Sequence, residues 1–304
     1  MTYIGFAPYE PQPENVDLIE NVQHVLLEYQ EYLPLTLRQI FYRLVGSRGY
    51  DKTETAYKRL GNVLARARRA RLIRFNAIRD DGLTVNSPAS FSGAGDFIQA
   101  VMHSARRYRR DRQEGQRTRI IVACEASGMV PQLVRVCEPY GISVRSSGGF
   151  DSVTAKHDLA TDIVDRLVDT KLFHVGDYDP SGVHLYLNLE ADVGRFVREL
   201  SIQEYDDAGA VSFSVQRVAV TPEQVLEYSL PTAPAKATDR RKFYGIGDDH
   251  TATAQAEALP PDLLASILKK EIEASLDGDA LHESIQKERQ EREQIIARLG
   301  TIPE

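Results

Sequence analysis

Cysteine is nearly absent. The 304 residues hold two, Cys124 and Cys137, which excludes a disulfide framework, and no CxxC or Cys/His cluster has zinc-ligand spacing. The expected compartment is a reducing cytoplasm. Long apolar runs are missing too. Nothing approaches the roughly 18 uninterrupted apolar residues of a membrane span, so no membrane partner is expected. Residues 1–20 are acidic and proline-containing, without the basic flank and apolar stretch of a secretory signal. The histidines, including His157, His174 and His184, show no ligand spacing. There is no internal repeat and no long low-complexity tract. What remains, 42% hydrophobic and 27% charged residues, is ordinary for a soluble globular protein. At roughly 100–200 residues per domain, the length predicts about two domains.

The net charge of −7 conceals an asymmetry. Residues 33–119 contain 19 Lys/Arg and 7 Asp/Glu, a balance of +12 inside an otherwise acidic chain. Such a block points to a localised polyanion surface. A salt-bridged pair of solvated helices is the plainer reading. Between Lys58 and Arg79 there are eight basic residues and no acid. Arg66 and Arg69, and Arg68 and Arg71, stand one helical turn apart, and with Arg74 they can follow a phosphate backbone without reading base sequence. Arg106, Arg107, Arg109 and Arg110 extend the track.

Apolar spacing predicts helices over 14–31, 37–45 and 53–70, the second opened by Thr36 with Gln39 as a capping box. Residues 72–78 read as a strand, with a turn at 80–82. Three helices and a strand hairpin are the parts of a winged helix-turn-helix. Residues 86–95, rich in Ser, Gly and Pro, read as a linker, followed by a basic helix over 97–112. From Arg119 onward strands (119–124, 142–144, 171–175, 211–220) alternate with helices (131–138, 154–168, 182–200). That alternation implies a parallel sheet with right-handed crossovers. A charged helical stretch, 259–299, closes the chain. The domain boundaries so read are 1–86, 87–118, 119–230 and 231–304.

Three carboxylates carry the strongest chemical signal. Glu125 follows the first strand of the α/β region. Asp177 and Asp179 follow the third, in GDYDPSG (176–182). Ligands of open parallel sheets bind beyond the carboxyl ends of strands, at a switch in strand order, so all three fall on the functional edge. Like charges held together need a cation or raised pKa values, and Mg²⁺ fits hard oxygen ligands. Taken alone, DPSG is also a plain strand-to-helix turn in which Asp or Ser caps the helix.

Arg119–Glu125 followed by Lys171–Gly182 resembles a Toprim domain, the metal-binding module of topoisomerases, primases and certain nucleases. The resemblance implies that Glu125, Asp177 and Asp179 are its metal-binding acids. GGFDSVTAK (148–156) resembles the corresponding loop of the topoisomerase VI A-subunit branch.

In LTLRQIFYRLV (35–45), Leu37, Ile40, Phe41 and Leu44 form one apolar stripe. Tyr42 is predicted on the polar side with Arg38, its hydroxyl free. An exposed tyrosine is usually amphipathic surface. Here it precedes a Toprim-like segment, an order that resembles the topoisomerase VI A subunit and the related meiotic double-strand-break protein. In that family a motif R-x-x-Y-Y ends on the reactive tyrosine. Tyr42 matches the second tyrosine, Arg38 the arginine, and Phe41 replaces the first tyrosine. The resemblance covers roughly residues 14–220.

It implies a 5′-phosphotyrosyl link formed by Tyr42 on double-stranded DNA, with Mg²⁺ (or Mn²⁺ as substitute) at Glu125, Asp177 and Asp179, in a cytoplasmic, nucleoid-associated homodimer. The tyrosine of one protomer would meet the metal site of the other. The alternatives are a Toprim nuclease that activates water, with Tyr42 dispensable, and a catalytically silent DNA-binding protein. No GxxxxGK[ST] motif occurs, so ATP-driven strand passage would need a separate ATPase subunit. Lys236, Arg240, Arg241 and Glu257 belong to a C-terminal region that matches nothing securely; the first three are candidate phosphate contacts and Glu257 a candidate support for a metal site, but the plainer expectation is that they organise the C-terminal region or an interface.

Overall fold

The computed structural model describes residues 7–79, 88, 90–146, 152–235, 239, 241, 243–246 and 251–300. The turn at 80–82, most of the 86–90 stretch, the glycine loop at 147–151, and Lys236 and Arg240 lie outside the described residues.

The chain opens with three helices, α1 (Pro13–Glu28), α2 (Leu37–Arg48) and α3 (Glu54–Arg69). Both halves of the expected capping box form. Thr36 accepts from the Gln39 backbone N–H, and the Gln39 side chain accepts from the Thr36 N–H. α2 ends at Gly49, whose left-handed conformation (φ 65°) suits a residue without Cβ. The predicted strand over 72–78 does not form. Residues 75–77 make a single 3-10 turn, and only β2 (Ile78–Arg79) pairs, parallel to β1 (Leu35–Thr36). Arg68 explains this locally: its guanidinium donates to the carbonyls of Phe75 and Ile78 and stacks 4.9 Å from the Phe75 ring, closing the segment as a turn. α4 (Ala94–Arg106) stops short of the predicted end at 112.

The α/β alternation is as expected. Strands β3 (Thr118–Cys124), β4 (Ser143–Ser146), β5 (Asp169–Val175) and β6 (Phe213–Ala219) form a parallel sheet in the order β4-β3-β5-β6. α5 (Val130–Cys137), α6 (Val153–Arg166) and α7 (Pro180–Tyr205) make the crossovers. Successive side chains alternate between faces. Ile121, Ala123, Leu172 and Val215 pack against α6 and α7. Ile120, Val122, Cys124, Phe173 and Val175 belong to a second core shared with α5, with α1–α3 and with α9 (Pro261–Ser275). The chain leaves β3 to one side for β4, then returns past β3 to β5. The switch in strand order therefore lies between β3 and β5.

After β6 come α8 (Pro222–Glu227), the short antiparallel pair β7 (Ala233–Pro234) and β8 (Ala252–Thr253), α9, and α10 (Gly278–Leu299). Glu288 of α10 is buried. Arg112 reaches both its oxygens at 2.8 and 3.0 Å, Arg292 pairs with it one turn on, and the Arg110 backbone donates to it. Part of the basic block thus anchors the C-terminal helix. No helix among the described residues is long and apolar enough to cross a membrane.

Candidate metal and tyrosine site

β3 and β5 are paired in register up to Cys124 and Val175, so the residues that follow emerge side by side. Glu125 continues the ladder by donating its N–H to the Val175 carbonyl, and Gly176 donates to Ala219. One Glu125 oxygen accepts from the Asp177 N–H at 3.1 Å. Asp177 accepts from the Ala256 N–H at 2.8 Å. Asp179 is the N-cap of α7, accepting from Gly182 N at 2.7 Å, with Pro180 at the first helical position. The capping role and the place at the functional edge coexist in one residue.

Two glycines make this packing possible. A Cβ on Gly176 would lie 2.4 Å from the His174 ring and 2.7 Å from a Glu125 oxygen. On Gly182 it would lie 2.3 Å from the Asp177 carbonyl oxygen. Arg217 of β6 supports the same loop from below. Its guanidinium donates to the carbonyls of Gly176, Asp177, Gly182 and Val220 at 3.0–3.2 Å, between the rings of Tyr178 and Tyr186. The sequence reading missed this residue. The available signal was a lone arginine inside the apolar strand sequence VQRVAV.

Burial, then the neighbouring Asp177 charge, pushes the Glu125 carboxyl up to about 7, and burial also raises Asp177. The two groups resist simultaneous ionisation. Among the described residues, no three His, Cys, Asp or Glu side chains converge as a ready-made ligand set. Mg²⁺ does not require one, since it is commonly held by one or two carboxylates together with waters and substrate phosphate. Glu125 and Asp177 suit that kind of site, with Asp179 beside them at the start of α7.

Tyr42 departs from expectation. It is not on a free polar face but 6% exposed. The polar side of α2 is covered by residues 251–258, whose 3-10 turn (Ala256–Ala258) packs on the helix. The Tyr42 hydroxyl donates to Gln255 Oε1 at 2.8 Å, and Arg38 Nη1 reaches the same oxygen at 3.3 Å. Arg43 bonds the Ala258 carbonyl. Burial pushes the phenol up to about 12; Arg38 pulls it down, and Glu257 and Asp177 raise it further. Phe41 lies in the core as the apolar stripe requires, edge-on to Tyr42, Tyr50 and Tyr57.

Tyr42, Lys52 and Gln255 line a cavity together with Asp179, Pro180 and Asp239. The same three residues line the adjoining groove with Arg38 and Tyr57. Lys52 Nζ stands 5.6 Å over the Tyr42 ring, and burial lowers its pKa. The structure therefore brings Arg38, Tyr42, Asp177 and Asp179 into one neighbourhood, with Glu125 against Asp177. Glu257 is buried beside them, and its charge acts on both Arg38 and Tyr42.

The basic residues divide. Arg66, Arg69, Arg71 and Arg74 are exposed, Arg66 with its guanidinium 6.0 Å from the Tyr9 ring. Arg68 is turned inward. Arg109 and Arg110 pair with Glu138, and with Glu114 and Glu291. Arg106 and Arg107 are exposed, and Arg241 pairs with Asp239.

No protein-family model matches this chain, and no curated protein matches it as a relative.

Proposed function

We propose that this protein is a DNA-breaking transesterase resembling the topoisomerase VI A subunit, with a winged-helix-like N-terminal unit and a Toprim-like sheet. The observation that supports it is that Tyr42 shares one cavity with Asp179 and the adjoining groove with Arg38, while Asp177 lies near enough for its charge to act on Tyr42 and Arg38. Arg38 offers the fork that holds a phosphate. The Tyr42 oxygen attacks the phosphorus, the bond to the 3′ oxygen breaks, and the phenol proton is balanced by protonation of that leaving oxygen. The products are a 5′-phosphotyrosyl link and a 3′ hydroxyl, with no further reactant needed. Glu125, raised to about 7 by burial and by Asp177, is suited to take up the phenol proton and pass it to the leaving oxygen, after which its carboxylate can join Asp177 at the metal. Mg²⁺ or Mn²⁺ at Glu125 and Asp177, with Asp179 nearby, supplies charge stabilisation for the phosphoryl group when bound. The exposed Arg66, Arg69, Arg71 and Arg74 provide backbone contacts to double-stranded DNA.

One observation favours a second reading. A phenol that is buried, bonded to Gln255 and raised to about 12 is a poor nucleophile as it stands. A Toprim nuclease would use the same carboxylates on water and leave Tyr42 aside.

The experiment is adduct trapping on end-labelled duplex DNA with Mg²⁺ or Mn²⁺, with and without a candidate ATPase subunit, quenched in SDS. Wild type is compared with Tyr42→Phe and Asp177→Ala. The transesterase gives a labelled adduct lost in both variants. Cleavage without adduct that survives Tyr42→Phe but not Asp177→Ala identifies the nuclease. No cleavage under any of these conditions leaves a DNA-binding protein.

A further inference from the structure

We infer that Lys52 is a catalytic residue of the cleavage step: together with Arg38, its ammonium holds a non-bridging oxygen of the scissile phosphate while Tyr42 attacks. This rests on the transesterase reading and adds a residue that lies outside the motif R-x-x-Y-Y.

Lys52 belongs to the short connection between α2 and α3, one residue before Thr53, the N-cap of α3. A cation there meets the positive end of the helix dipole, where acids are favoured, so the helix gives no reason for it. The neighbouring acid, Glu54, is paired with Lys58 at 2.7 Å. Among the described residues Lys52 has no ion pair, and burial alone shifts its pKa, downward. Its Nζ turns back over the Tyr42 ring, 5.6 Å from the centroid, and donates to the Thr232 carbonyl. An ammonium carries three donors, so two remain for oxygens that enter beside the tyrosine.

The lysine borders both open spaces around the tyrosine. With Tyr42 and Gln255 it lines the cavity that holds Asp179, and the same three residues line the groove that holds Arg38. A phosphate held by Arg38 within reach of the Tyr42 hydroxyl therefore has Lys52 as its second cation. Attack by the phenol oxygen adds negative charge to the non-bridging oxygens. A fixed cation in a poorly solvated cleft acts most strongly on charge that develops there, and a lysine whose pKa is shifted by desolvation in a cleft marks such a place. No proton leaves Lys52, so the bond made to Tyr42 and the bond broken to the 3′ oxygen balance without it. Lys52 follows Tyr42 closely in the same N-terminal unit, so the two travel together whichever copy supplies the acids.

The test compares wild type, Lys52→Met and Lys52→Arg in adduct formation on two duplexes, one ordinary and one with an uncharged methylphosphonate at a mapped cleavage position. On the phosphodiester, Lys52→Met should form adduct about a hundredfold more slowly than wild type, and Lys52→Arg, which keeps the charge, should lose less. The methylphosphonate offers no charge for the lysine to neutralise, so there the gap between Lys52→Met and wild type should largely close. A deficit of the same size on both duplexes, or no deficit on either, overturns the inference. A second measurement needs neither a variant nor cleavage. Acetylation of Lys52 in wild type by an N-hydroxysuccinimide ester, read by mass spectrometry, should fall several-fold when duplex DNA is added with Mg²⁺. Unchanged acetylation overturns the inference. Absence of adduct from wild type, by contrast, removes the transesterase reading, while the acetylation still reports whether Lys52 meets the DNA backbone.

Discussion

Gln255 holds the hydroxyl of Tyr42, 213 residues earlier in the chain, at 2.8 Å through an oxygen that can only accept. The phenol must therefore keep its proton while this bond lasts. Replacing Gln255 with leucine leaves the hydroxyl without that acceptor at a buried position, a loss of about 1–3 kcal/mol. Thermal unfolding should reveal it. Gln255→Glu places a negative charge beside the phenol and should suppress adduct formation at pH 7–8 more strongly than leucine does. Equal adduct yields from the two variants would contradict this account of the contact.

The acidic pair predicts a coupling between pH and divalent cations. Glu125 is raised to about 7 from an ordinary value of 4.5. A raised carboxyl stabilises the fold fully below its unfolded value, and that contribution is lost as pH rises through the folded value. Asp177 shifts in the same direction. Millimolar Mg²⁺ or Mn²⁺ should therefore raise the melting temperature more at pH 8 than at pH 5. The difference should vanish in Asp177→Ala. A cation effect of equal size at both pH values would contradict the assignment.

His174 works against that trend. It is fully buried beneath the acidic loop and lowered to about 3 by burial and by Arg217. Protons bind the unfolded chain first between about pH 6.5 and 3, so stability falls on acidification there, by up to about 1.4 kcal/mol per pH unit. His174→Leu should flatten this limb in equilibrium denaturation between pH 6.5 and 4.5. An unchanged slope would place the acid sensitivity elsewhere.

The arginines of the basic block should separate into two kinds. Arg69, Arg71 and Arg74 are exposed. Replacing all three with alanine should weaken duplex binding uniformly across sequences and lower the salt slope by up to about 2.7, at 0.9 per contact. Arg68 holds the turn at 75–78. Its alanine variant should lower stability first and change the salt slope little. Fluorescence anisotropy at several salt concentrations distinguishes the two.

Glu288 is a stability determinant remote from the site. Its carboxylate is 1% exposed and paired with Arg112 and Arg292. Removing it leaves Arg112 and Arg292, both of which reach solvent, so the loss is that of charge-assisted hydrogen bonds, about 1.5–3 kcal/mol. Glu288→Ala should therefore lower the denaturant midpoint sharply, with α10 the first region to lose hydrogen-exchange protection. Retention of wild-type stability would show that the pair is solvated.

Much of this architecture was legible in local pattern. The β–α alternation from Arg119, the capping box at Thr36 and Gln39, and the position of Glu125, Asp177 and Asp179 at strand ends all follow from neighbours within a few residues. Periodicity and capping are properties of the local chain. The strand expected over 72–78 failed because Arg68, several residues upstream, satisfies two of its carbonyls from the side. Tyr42 was expected on a free polar face of α2, yet it is buried, because a segment more than 200 residues later packs over it.

The sequence by itself determined the order of the elements, the parallel sheet and the strand ends on which three carboxylates lie. Steric preference and side-chain period act locally, and they suffice for that. Only the tertiary structure decided that Arg217 supports the acidic loop through three of its carbonyls, that Gln255 closes over Tyr42, and that Tyr42 and Asp179 line one cavity. Those contacts join residues far apart in the chain. They exist because burying the shared core brings polar groups together that must then satisfy one another away from water.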